Sequence, residues 1–171
     1  MDAELRIYLL GGFRAELEAR PVAAEDWHRN RAKAVVKILA LAPDHRLHRE
    51  QLTEILWPGL TPEAADSNLR KAVHFARRAL GPTRLKTADE LVSLAEAGLW
   101  IDLDAFQAAA DAGDSSRAIE LYGGELLPED RLEPWAESHR ERIQARLAQM
   151  LWQRAAELEG AADVSGAAVQ L

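Results

Sequence analysis

Residues 59–82, GLTPEAADSNLRKAVHFARRALGP, constrain the fold more than any other stretch of this 171-residue chain. Thr61 can cap a helix, Pro62 suits its first position, and Gly81 with Pro82 ends it. With Leu69 set to zero on a helical wheel, Ala72, Val73, Ala76 and Leu80 fall within about 60° of it. Ser67, Lys71, His74 and Arg78 fall between about 140° and 200°. Such a helix must bury one face, and the opposite face is basic and rich in hydrogen-bonding groups. Arg70 and Arg77 flank that polar stripe on one side, Asn68 and Phe75 on the other.

The neighbouring segments supply a body for this helix to lean on. ELRIYLLGGFRAEL reads as two short extended runs around Gly11 and Gly12, with Leu5, Ile7 and Leu9 alternating as a half-buried strand requires. NRAKAVVKILALAP spaces Ala32, Val35, Val36, Leu39 and Ala40 as a helix, with Asn30 as its cap and Pro43 as its stop. HREQLTEILWP is a shorter helix that ends at Pro58. RLKT and LVSL, around ADE, give a hairpin signal. Sheet, three helices and hairpin follow one another in winged-helix order.

From LWIDLDAFQAAADAG onward the chain turns to Ala-rich helices. Asp104 is expected to open one that Gly113 closes, Asp114 or Ser115 another that Gly123 closes, and Pro134 a long third. DSSRA at 114–118 is echoed by DVSGA at 163–167, an Asp at a helix start with Ala four residues later, as in stacked helical hairpins. SGAAVQL then stops partway into what reads as a new helix, as a fragment of a longer protein would. The fold class read here is mainly α with a small β component.

Charge divides the chain in the same place. Residues 1–95 carry a net +2 and residues 96–171 a net −9 within a total of −7. Between 67 and 88 stand Arg70, Lys71, Arg77, Arg78, Arg84 and Lys86 with no acid among them, a positive field that a pI near 5.3 conceals. A basic helix face held by its apolar side against a compact bundle has the shape and chemistry to enter a DNA major groove. His48 and Arg49, at the start of the second helix, are placed to touch the DNA backbone. Basic solvated faces are also common, so the competing reading is a protein-interaction module whose basic helix only keeps it soluble.

Other chemistries find little support. The chain has no cysteine, which removes disulfides, thiolate metal sites and thiol nucleophiles. His45 and His48 with Glu50 and Glu54 match no zinc spacing, so no metal is expected. LLGGF lacks the Gly and Lys pattern of a phosphate loop, and no nucleophile, base and orienting group assemble. We expect neither an enzyme nor a cofactor. Trp27, Trp57, Trp100, Trp135 and Trp152 lie at segment ends or on apolar faces and are expected in the core. No apolar run is long enough to span a membrane and MDAELRIYLL is no signal peptide, so a cytoplasmic protein is expected.

LWPGLTPEAADSNLRKAVHFARRALGP resembles the helix-turn-helix region of the Streptomyces antibiotic regulatory protein (SARP) family, whose DNA-binding domain is an OmpR-like winged helix with an N-terminal sheet. WIDLDAFQAAADAGDSSRAIELYGGELLPEDRLEPWAESHRERI resembles the bacterial transcriptional activator domain that follows it, built of tetratricopeptide-like helix pairs. The resemblance implies a DNA-binding domain over residues 1–96 and a helical activator domain, held in part, over 97–171. It also implies a transcription factor, usually an activator, that binds direct repeats near a promoter, with room for a homodimer on them, and contacts RNA polymerase. Ser67, Asn68, Arg70, Lys71, His74, Arg77 and Arg78 match the recognition helix, and residues 57–65 match the loop that can face polymerase. Phe75 and Ala76 depart from the pattern, and the wing KTADELVSL lacks a basic tip. Asp89 and Glu90 there would repel phosphate, which favours the major-groove contacts over the wing.

Overall fold

The computed structural model describes residues 4–168, and the side chains of residues 4–160. It divides into two units: residues 1–9 with 13–101, and residues 10–12 with 102–171. The first is built on two small sheets and three helices. Strands β1 (Leu5–Tyr8), β2 (Arg14–Leu17) and β3 (Arg20–Pro21) form an antiparallel meander, and β7 (Leu99–Ile101) pairs in parallel with the free edge of β1. Leu5 and Ile7 are buried while Arg6 is exposed, the alternation read from the sequence. The strand β7 was not expected. LWI is short and opens the segment read as helical, and only its pairing with β1, more than ninety residues away, makes it a strand. The unit boundary therefore falls at 101/102, five residues beyond the expected 96/97.

Helices α1 (Asn30–Leu41), α2 (Arg49–Leu56) and α3 (Pro62–Leu80) follow. Asn30 is the first helical residue of α1, and the cap position belongs to Arg29, which provides no side-chain cap. On α3 the expected signals operate: the Thr61 hydroxyl accepts from the Ala64 N–H at 3.4 Å, Pro62 stands in the first turn, and Gly81 turns the chain out at φ 96°. Ala65, Leu69, Ala72, Val73, Ala76, Ala79 and Leu80 are buried, packed against α1, α2 and the 3-10 turn that holds Trp27. Each aliphatic side chain of leucine or valine size buried there contributes roughly 1.5–3 kcal/mol.

The second sheet is the wing. Strands β5 (Leu85–Ala88) and β6 (Leu91–Leu94) form a hairpin, and β4 (Arg46–His48), between α1 and α2, adds to the far side of β6. Asp89 and Glu90 both take left-handed backbone angles, φ 51° and 62°. That geometry matches a two-residue hairpin turn without the Asn-Gly pair that normally advertises one.

In the second unit α4 (Asp102–Asp111), α5 (Ser115–Leu121) and α6 (Pro134–Ala168) bury Leu103, Phe106, Ala110, Ala118, Leu126, Leu127, Ala136, Ile143 and Met150. Asp114 caps α5 by accepting from the Arg117 N–H at 2.9 Å. Arg140, almost wholly buried, donates to the carbonyls of Leu126, Leu127 and Asp130 at 3.2–3.3 Å and pairs with Glu125, pinning the loop between α5 and α6. Residues 10–12 join this unit through two backbone approaches. The Gly11 N–H donates to the Glu125 carbonyl at 2.9 Å, and Leu10 bridges to Leu126. A Cβ on Gly11, at φ 87°, would lie 2.6 Å from the Gly123 carbonyl oxygen, and one on Gly123 would lie 2.9 Å from that of Leu10.

Two expectations are corrected here. Helix α6 runs unbroken from 134 to 168, so no helix begins at Asp163 and the echo of residues 114–118 marks no second hairpin. Gly160 sits inside α6, where a single glycine costs about 1 kcal/mol relative to alanine but does not break a long helix. Trp152, expected in the core, is 79 % exposed, with Leu151 and Leu158 also on the surface of α6. Trp27 alone of the five tryptophans is fully buried, and Trp57, Trp100 and Trp135 are half-buried.

The phase of α3 is open to a direct check. Val73→Asp places an unpaired carboxylate in the packed face, which costs several kcal/mol out of the ~5–15 kcal/mol that holds a domain folded. The first unit is expected to lose its cooperative thermal transition, read by near-UV circular dichroism, whereas Lys71→Asp on the opposite face is expected to retain it.

Candidate nucleic-acid interface

Burial of one face of α3 decides what the other face offers. Arg70, Lys71, His74 and Arg78 are exposed, and Ser67, Asn68 and Arg77 are half-buried along the same helix. Residues 67, 71, 74 and 78 form one row about 16 Å long, at 1.5 Å of rise per residue. The dimensions and donors of this row suit a major groove about 12 Å wide. Beside it the half-buried Phe75 ring is met by the Arg29 guanidinium at 5.5 Å and by the His28 and His74 rings at 5.4 Å each. His28 and Arg29 are both exposed, so the loop before α1 adds a guanidinium and an imidazole to this surface. They were missed in the sequence because a loop has no period to reveal which way its side chains point, although the run WHRNRAK is visibly basic.

The other basic residues divide by task. Arg77 donates from Nε to the Leu85 carbonyl at 3.0 Å and from Nη2 to the Thr87 hydroxyl at 2.9 Å, tying α3 to the first strand of the wing. Arg84, expected on the DNA-facing surface, is corrected: it is 3 % exposed and donates to the Ala97 carbonyl at 2.5 Å. Its chain position in the turn after α3 points it inward, where Nη1 holds the end of the wing and Nη2 is buried with no hydrogen-bond partner. Arg49 is also engaged. Its guanidinium pairs with Asp66 on α3, lies 3.8 Å from the Glu90 carboxylate at the wing tip, and its N–H donates to the Glu90 carbonyl at 2.9 Å. His48 remains exposed, with its N–H given to the Gln51 side chain at 3.1 Å, and Lys86 is exposed on β5.

Asp66 is the hub of this arrangement. Besides Arg49 it meets Arg70 at 3.3 Å, one helical turn along. The hydrogen bond from Arg49 holds its carboxyl below the ordinary range against the opposing effect of burial, with the charges of Arg49 and Arg70 adding to the lowering. Among the described residues no group of three or more metal-ligating side chains gathers, and no helix is long and apolar enough to cross a membrane.

Two experiments follow from these contacts. Arg77→Ala is expected to speed amide exchange in residues 85–88 by freeing the wing, while Arg78→Ala leaves those amides as they are. A depressed folded-state pKa stabilises the fold above the unfolded carboxylate value of about 3.9, and the contribution is lost as pH falls through the folded value. Asp66→Asn should therefore lower the melting temperature at neutral pH and shrink its fall on acidification. The effect is modest because the pair is partly in water.

No family model matches this chain, and neither does any curated protein. Among solved structures it is similar to Mycobacterium tuberculosis EmbR, determined in complex with a low-affinity phosphopeptide, at 20 % identity and a TM-score of 0.69. The match takes in 87 % of this chain and 44 % of that one, so this chain spans less than half of EmbR. The likeness extends over most of this chain and establishes that the two proteins share a fold.

Proposed function

We propose that this chain is a transcription regulator that binds duplex DNA through α3. The observation that carries the reading is the row of Lys71, His74 and Arg78, exposed on the face directly opposite a fully packed one, within a helix-turn-helix and wing. Ser67, Asn68 and Arg70 accompany the row, and Arg29 and His48 supply phosphate contacts at its margins. Arg77 and Arg49 act beneath it, fixing α3 to the wing and to α2. The fold shared with EmbR agrees with such a role. The resemblance to the SARP family adds activation, direct-repeat operators on which two copies sit, and RNA polymerase as a partner of residues 57–65. Duplex DNA would place the protein in the bacterial cytoplasm. A second reading, a protein-interaction module, draws on the exposed Trp152, Leu151 and Leu158 of α6.

Selection from a random duplex pool, followed by fluorescence anisotropy on the selected duplex, separates the two. Affinity is expected to fall steeply between about 50 and 200 mM salt as phosphate contacts release counterions. At about 1–3 kcal/mol for each side chain that reads a base edge, the Lys71, His74 and Arg78 triple alanine variant should bind at least a hundredfold more weakly. Equal binding by variant and wild type would falsify the assignment.

A further inference from the structure

Five of the six arginines in residues 102–171 are paired with carboxylates of their own unit: Arg117 with Glu120, Arg131 and Arg140 with Glu125, Arg146 with Asp111, and Arg154 with Glu157. Arg142 differs. Its Nη2 lies 3.2 Å from His139 Nδ1, and among the described residues it has no carboxylate partner. Arg142 and Arg146 stand one turn apart on α6 and line a groove of about 410 Å³ between α4 and α6, with Gln107 and Asp111 on the other wall. Ile143 forms an apolar floor, Ala145 part of the rim, and Gln149 the far end.

From this we infer that the groove between α4 and α6 is a binding site for an extended peptide segment carrying a carboxylate next to an apolar side chain. Arg142 and Arg146 would take the carboxylate by paired hydrogen bonds, the geometry at which a guanidinium excels. The amide of Gln107 would meet peptide backbone, Gln149, whose Oε1 accepts from Arg146 Nη1 at 3.0 Å, would steady that arginine, and the apolar neighbour would rest on Ile143. Asp111 occupies part of the place the ligand would take. Its carboxylate is 77 % exposed yet sits 2.7 Å from Arg146, whose side chain is only 31 % exposed. So exposed a pair is held weakly, and a ligand carboxylate could displace it at small cost. His139 is half-buried, and burial first and the charge of Arg142 second lower its pKa from the ordinary imidazole value, which favours the ring form whose Nδ1 accepts from Arg142. The surrounding half of the chain carries a net −9, which favours a ligand that brings one or two charges over a densely anionic one. A volume of this size accommodates a few residues.

The test uses the whole chain and a dye-labelled hexapeptide of alternating aspartate and leucine, with its asparagine counterpart as control and inorganic phosphate as competitor. Saturable binding of the aspartate peptide is expected, at least about tenfold tighter than the asparagine peptide, the loss that follows from removing charge-assisted hydrogen bonds. Arg142→Gln with Arg146→Gln should weaken it by a similar factor, and Asp111→Asn should strengthen it by removing the internal competitor. If the double variant no longer melts cooperatively, Ala145→Glu, at an exposed helical position on the rim, serves instead and should block binding. No binding to the wild type, equal binding of the two peptides, indifference to either variant, or full displacement by phosphate at the peptide's own concentration would each overturn the inference. Duplex DNA affinity measured on the same variants is expected to be unchanged, so this result stands or falls apart from the DNA reading.

Discussion

The aliphatic face of α3, seated against α1 and α2, sets the terms for everything else in the first unit. Because Leu69, Val73, Ala76 and Leu80 are committed inward, Lys71, His74 and Arg78 have no direction left but outward. Rotation of the helix by one residue, about 100°, would bury a cation and expose a leucine. The hydrophobic effect thus sets the direction of the row, and the polar contacts of Arg77 and Asp66 hold the helix in that setting. Four small buried residues, Ala65, Ala72, Ala76 and Ala79, let neighbouring elements come close to the helix axis.

Around that helix the guanidinium groups have been sorted by neighbourhood rather than by charge. Arg77 and Arg49 direct donors to carbonyls, a hydroxyl and carboxylates within the fold, Arg84 is buried with one donor given to a carbonyl, and Arg70 is shared with Asp66. The positive field of residues 67–88 is consequently smaller than a count of basic residues implies, and it is concentrated along one row. Arg29 restores part of it from a different segment. The wing, joined to α3 through Arg77 and to α2 through Arg49, is positioned by these struts even though its own tip is acidic.

How much of this could be read beforehand depended on the range of the interactions involved. Helix α3 was legible because its caps, its period and its polar stripe all lie within twenty or so consecutive residues. Its row of exposed side chains followed from the same arithmetic. Strand β7 was not legible, since its only reason to be extended is a partner at the other end of the first unit. The inward course of Arg84 and the strut made by Arg77 were hidden for a related reason: both depend on where a carbonyl from the wing arrives in space. Asp66, immediately before the acid-free run, could have been recognised from its spacing to Arg70. Its hold on Arg49 needed the packing of α2 on α3. In the second unit the caps of α5 were plain, but the uninterrupted course of α6 past Gly160 was not, because a lone glycine marks a possible end without enforcing one.

The crossing of residues 10–11 over residues 123–124 leaves less than the width of a methyl group between two backbones. A chain bearing side chains at either place would have to separate the two strands of that crossing before it could close, losing the Gly11 to Glu125 hydrogen bond and the Leu10 to Leu126 bridge together. Positions 11 and 123 are therefore bound by one constraint: a side chain at either would force these two backbone segments apart.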